Sequence, residues 1–243
     1  EVPPSMAGKR VFLHFGAVDW KATVFVNGQK VAEHIGGYVP FSAEVTSFGS
    51  KLDITVCAED PVYRHNYGHG KQSPLLQSYG CYYTRTTGIW QSVWLEATGS
   101  RYISDFRVTP NVAACEISLE VQAADAYGAE VEATAYYNGK KQGETRFKIV
   151  DGCTVAHMSL DELHLWELGK GRLYDLELRL IVDGVTTDVV KSYFGMRSVM
   201  FDGKKFLLNG KSVFGRFVLD QGFYHDGIYT APETERFEQD IKL

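Results

Sequence analysis

The chain has 243 residues, 44% of them hydrophobic and 13% aromatic, with a formal net charge of −5. That is enough apolar material for one large domain or two modest ones. The acidic balance argues against nucleic acid or an anionic membrane as a partner, since either wants a basic face. No stretch approaches the roughly 18 apolar residues that a membrane-spanning helix needs.

The first ten residues, EVPPSMAGKR, lack the basic start and apolar run of a signal peptide. The cytoplasm is therefore expected ahead of a secreted setting. From Arg10 to Leu95 short alternating runs rich in Val, Phe, Tyr and Trp are broken by Gly and Pro. ATVFVNGQKVAEH reads as a hairpin: Val24 and Val26 share a face, and Asn27-Gly28 supplies the two positive-φ positions of a type I′ turn. The same signal recurs at Asn138-Gly139, Asp183-Gly184 and Asn209-Gly210. A break falls at Thr98-Gly99-Ser100, after which a second series of about seven short strands runs to Gly195, the strand count of an immunoglobulin-like sandwich. Cys57, Cys81, Cys115 and Cys153 stand far apart without a CxxC pair, so they are expected as reduced, mostly buried thiols and not as a zinc site.

The last stretch differs. SVFGRFVLD (212–220) reads as a buried strand. Thr230-Ala231-Pro232-Glu233 has the form of a capping box with proline in the first turn. Phe237 and Ile241 then share one helical face. A parallel βα unit needs a further strand to pair with and a sheet to cover, so the chain is expected to be a piece of a longer fold.

Four segments, in this order, resemble glycoside hydrolase family 2, which includes β-galactosidases, β-glucuronidases and β-mannosidases. They are the hairpin with its Gly-Gly-Tyr-x-Pro-Phe stretch (Leu13–Thr46), RTTGIWQSVWLE (Arg85–Glu96), LHLWELGKGRLYDLELRL (Leu163–Leu180), and FGMRSV followed by FLLNGKSVF. The resemblance implies a mainly β fold: a jelly-roll-like β-sandwich over 1–99, an immunoglobulin-like sandwich over 100–194, and over 195–243 the first βα unit of an incomplete (β/α)8 barrel. Such a barrel takes about 250 residues. It further implies a retaining β-glycosidase as the parent, β-galactosides first and β-glucuronides second. Such enzymes use two carboxyls about 5–5.5 Å apart, which the family places on later barrel strands. No residue of this chain is therefore assigned a catalytic role. Glu44, Asp53 and Asp175 are read as solvated positions on alternating strands.

Candidate substrate contacts follow from the same resemblance. In the loop before Gly-Ile-Trp they are Lys71, Gln72, Tyr82, Tyr83 and Arg85. Where many members carry Asn-Arg-His-Glu, this chain has Leu219-Asp220-Gln221-Gly222, which adds Asp220 and Gln221. His65 and His69 are expected to be solvated or packed in the loop, and no metal or other cofactor is assigned. The expected partner is a carbohydrate, with self-association into a homo-oligomer left open. Two other readings stand beside this one: a free-standing carbohydrate-binding module, and domains that only buttress a barrel.

Overall fold

The computed structural model describes residues 1–63, 70–75 and 77–243. His65 and His69 lie outside them. Two compact units divide the chain: Glu1–Ala97 together with Val218–Leu243, and Thr98–Phe217.

The first unit is built from β1 (Arg10–Phe15), β2 (Val18–Asp19), β3 (Lys21–Val26), β4 (Gln29–Ile35), β5 (Phe41–Glu44), β6 (Ile54–Glu59), β7 (Gly88–Ile89) and β8 (Val93–Thr98), the last ending at the junction. Two three-stranded sheets, ordered β5-β1-β8 and β4-β3-β6, are joined by a short β2-β7 pair. β1 and β3 alternate strictly between buried and half-exposed positions. One face therefore carries Val11, Leu13 and Phe15, and the other strand brings Ala22, Val24 and Val26 into the same apolar cluster. This period of two is what a strand with one wet face requires. Asn27 and Gly28 have φ of 49° and 79°, the mirror-image turn that matches the twist of β3 and β4.

The second unit is a seven-stranded sandwich. β9 (Tyr102–Asn111), β10 (Glu116–Ala124) and β13 (Cys153–Ser159) form one sheet, ordered β13-β10-β9. β11 (Glu130–Tyr137), β12 (Lys140–Lys148), β14 (Tyr174–Val182) and β15 (Val185–Phe194) form the other, ordered β12-β11-β14-β15. Ile117, Leu119 and Val121 face Val131, Ala133, Leu176, Leu178 and Leu180 in one core. Tyr174, fully buried at the start of β14, anchors the connection before it. Its hydroxyl donates to the Glu162 carbonyl at 2.7 Å and accepts from the His164 amide at 2.7 Å. This is the tyrosine corner of immunoglobulin-like sandwiches. A meander of β16 (Val199–Asp202), β17 (Lys205–Leu208) and β18 (Lys211–Val213) completes the unit, turning through Asn209-Gly210.

The mainly β architecture agrees with the sequence. Three local expectations do not hold. The strand expected over 212–220 ends at Val213, and Phe217, Val218 and Leu219 are exposed rather than buried. β18 is the edge of its sheet, so the backbone beyond it has no ladder to join. The helix α1 (Thr234–Lys242) starts after Glu233, with no side-chain cap. Thr230 lies four positions before the first helical residue, and its hydroxyl donates to the Trp90 carbonyl at 2.7 Å. The cysteines are free, as expected, but Cys57, Cys81 and Cys153 are exposed and only Cys115 is half-buried. On edge and half-wet strand faces a thiol is simply a small outward side chain.

Candidate functional site

The first unit carries an open cleft of about 360 Å³ lined by Tyr38, Lys71, Tyr83, Trp90, Gln221 and Tyr229, with Gly70 and Gly222 at its edges. Backbone pairing brings its polar end together. The Tyr83 amide donates to the Lys71 carbonyl at 2.8 Å and the Ser73 amide to the Tyr83 carbonyl at 2.8 Å. This bridge pairs Tyr83 with Gln72 and so holds the Lys71 segment alongside Tyr83, although Lys71 and Tyr83 are twelve positions apart. The Lys71 ammonium donates to Gln221 Oε1 at 3.0 Å, and the Tyr83 hydroxyl donates to the same oxygen. Tyr83 also stacks on Phe223, with ring centroids 4.2 Å apart and planes within 11°.

Gln221 is presented by the loop ahead of α1. Asp220 stabilises that loop internally, its Oδ1 accepting from the Gly222 amide at 2.8 Å, an Asx-type turn. Further on, Tyr224 and Ile228 exchange backbone hydrogen bonds at 2.6 and 2.9 Å, closing the loop and setting Tyr229 against the cleft's aromatic end. There the Tyr38 hydroxyl donates to the Tyr229 hydroxyl at 3.0 Å. Trp90 meets both rings edge to face, at 5.7 Å for Tyr38 and 5.3 Å for Tyr229. Burial first, then the hydrogen bond to Tyr229, pushes the Tyr38 phenol well above its ordinary pKa, so it stays a neutral donor at physiological pH.

Beneath the cleft lies a buried polar knot. Gln72, 1% exposed, donates from Nε2 to Asp19 Oδ2 at 2.8 Å and accepts from the Thr86 amide at Oε1 at 3.0 Å. The Thr86 hydroxyl donates to the same Asp19 oxygen at 2.5 Å. Desolvation raises the Asp19 pKa, against the lowering effect of the Thr86 and Gln72 bonds. Gly37 fits over this carboxylate only because it lacks a side chain: a Cβ there would stand 2.3 Å from Asp19 Oδ1. The Gly37 carbonyl in turn accepts from Trp90 Nε1 at 2.7 Å. Asp19 therefore fixes, through Gln72, the residue next to Lys71, and, through Gly37, the residue next to Tyr38.

The candidates named from sequence separate accordingly. Lys71, Tyr83 and Gln221 converge in the cleft. Gln72 lies under it with both ends of its amide engaged. Arg85 braces the same loop by donating from Nη2 to the Pro74 carbonyl at 2.9 Å. Tyr82 sits in a tight exchange of backbone bonds with Tyr79, outside the lining, and Asp220 serves its own turn. Sequence reasoning passed over Tyr38, Trp90 and Tyr229 as contacts. The Gly36-Gly37-Tyr38 stretch was the available signal, since paired glycines mark close backbone approach. Among the described residues no three His, Cys, Asp or Glu side chains are grouped to hold a metal. A lysine ammonium, an amide and phenols can bind hydroxyls and an anion. Among the described residues, the cleft lining contains no carboxylate.

Residues 101–197 match the family model of glycosyl hydrolases family 2. Over 233 residues the chain is 26% identical to a β-glucuronidase of Streptococcus agalactiae, covering 88% of this chain and 37% of that protein. It is 28% identical over 226 residues to a β-galactosidase of Thermoanaerobacter pseudethanolicus, covering 84% of this chain and 28% of that protein. Among solved structures, a β-glucuronidase from Ruminococcus gnavus in complex with D-glucuronic acid superposes with a TM-score of 0.78 at 18% identity, covering 99% of this chain and 42% of that one. The chain thus spans well under half the length of these relatives.

Proposed function

We infer that this relative of the family 2 glycosyl hydrolases serves as the non-catalytic, substrate-holding part of a retaining β-glycosidase. The two sandwiches form the scaffold, and the Lys71–Tyr83–Gln221 cleft grips the sugar while a carboxyl pair elsewhere in the enzyme cleaves it. The observation that carries this reading is the convergence of two polar side chains, Lys71 and Tyr83, on the Gln221 Oε1 oxygen, 150 and 138 positions away in sequence, in an aromatic cleft. Lysine adds a cation with two donors left after Gln221. That favours an acidic sugar, so we place β-glucuronides ahead of β-galactosides, reversing the preference drawn from sequence. The names of the relatives support either.

The test compares hydrolysis of chromogenic β-glucuronide and β-galactoside by the 243-residue chain and by a form extended through a complete barrel. Activity only in the extended form, with Lys71→Met raising KM for the glucuronide by about tenfold or more, is the expected result. A lost charge-assisted hydrogen bond is worth about 1.5–3 kcal/mol. Activity in the 243-residue chain, or a KM indifferent to Lys71, would overturn the reading.

A further inference from the structure

The first unit has a second groove of about 430 Å³, which shares Tyr38 and Trp90 with the cleft and whose lining adds Gly16, Pro40, Gln91, Ser92, Trp94 and Thr230. Among the described residues, none of those lining it carries a charge. Trp94, 47% exposed, is held in one plane from behind: it stacks on His14 with centroids 5.0 Å apart and planes within 11°, and His14 Nε2 lies 2.8 Å from Glu96 Oε2. Gln91 reaches the groove because Gly16 leaves room for it. A Cβ at Gly16 would stand 2.8 Å from both Gln91 Cβ and Oε1.

We propose that this groove is a carbohydrate subsite for a neutral pyranose, which would lie against Trp94 and take hydrogen bonds from Gln91 and Ser92. The choice of ligand class rests on the glycoside reading of the neighbouring cleft, with which it shares Tyr38 and Trp90. The groove's own chemistry then fixes the kind of sugar. A preset indole plane offers an apolar surface to the C–H face of a ring at little ordering cost. A neutral amide and hydroxyl match hydroxyl groups. The absence of charge from the lining gives a carboxylate or phosphate nothing to pair with. An extended substrate would thus place its acidic residue at Lys71 and a neutral one at Trp94.

The experiment is an NMR titration of the 243-residue chain with lactose, and separately with methyl β-D-glucuronide, following the four tryptophan indole N–H signals. Lactose is expected to shift the Trp94 and Trp90 signals at millimolar concentration and to leave that of Trp166, in the second unit, in place. Trp94→Ala should weaken lactose binding by about tenfold, the worth of one aromatic contact. Trp94→Phe, which keeps a ring and guards against a folding defect, should weaken it less. Lactose shifts that are missing, that fall elsewhere, or that survive in Trp94→Ala would overturn the subsite. If glucuronide binds through Lys71 while lactose leaves Trp94 unmoved, this inference falls and the proposed function stands. If lactose moves Trp94 but glucuronide binds nowhere, the proposed function falls instead.

Discussion

Replacing Gln72 by leucine keeps almost the same volume in a fully enclosed position, so the change is one of hydrogen bonding and not of packing. Two bonds disappear: the 2.8 Å donation to Asp19 Oδ2 and the 3.0 Å acceptance from the Thr86 amide. The first is to the buried Asp19 carboxyl group and is worth up to about 3 kcal/mol. The second leaves a buried amide without a partner, at about 1–3 kcal/mol. Protonation of Asp19, whose pKa is already raised by burial, would recover part of this. We therefore expect a loss of about 4 kcal/mol, or roughly 12–20 °C in the melting of the first unit. Trp20, Trp90 and Trp94 lie in that unit, so tryptophan fluorescence follows its transition, with calorimetry to resolve the second unit. Gln72→Glu, which keeps an acceptor for Thr86 but places a second carboxyl at Asp19, should be at least as harmful. A shift of only about 3 °C in both variants would refute the argument that this knot holds the cleft together.

Gly37→Ala forces a methyl group to within 2.3 Å of Asp19 Oδ1, so the loop must move. It should cost about 1–3 kcal/mol in urea unfolding and loosen Tyr38. Asp19 should also leave a mark on the pH profile. Its folded-state pKa is raised above the ordinary aspartate value of 3.8, so the folded state holds its proton to higher pH than the unfolded chain. Its contribution to stability is therefore greatest below 3.8 and is lost as pH rises from there through the raised pKa. Asp19→Asn should remove that decline, seen as the difference between the two proteins' stability curves. In the second unit, Tyr174→Phe leaves the Glu162 carbonyl and the His164 amide without their partner. It should destabilise that unit alone by about 2–3 kcal/mol in calorimetry.

What could be read in the sequence was local or periodic. The Asn-Gly and Asp-Gly turns declare themselves because few residues accept positive φ, and all four have it at both positions. The strict alternation in β1 and β3 shows because a one-residue slip would reverse every side chain. The knot under the cleft was not legible. Asp19, Gln72 and Thr86 are 53 and 14 positions apart, and an isolated polar residue reads as exposed until its partners are known. The sequence therefore groups Gln72 with Lys71, while the fold encloses the Gln72 amide between Asp19 and Thr86. The Thr230 motif likewise reads only the local chain: the helix begins four positions later, at Thr234, and the Thr230 hydroxyl donates to a carbonyl 140 positions away. Tyr174 shows the same limit, since a tyrosine opening an alternating strand carries no hint that its hydroxyl reaches back 10 to 12 positions.

The most direct test of the substrate-holding role is a calorimetric titration of the 243-residue chain with methyl β-D-glucuronide and with methyl β-D-glucoside, which differ only at the carboxylate. The cleft described here predicts tighter binding of the glucuronide, with the preference abolished by Lys71→Met and weakened by rising salt. Equal affinity for the two sugars, or a glucuronide preference that survives Lys71→Met, would contradict it.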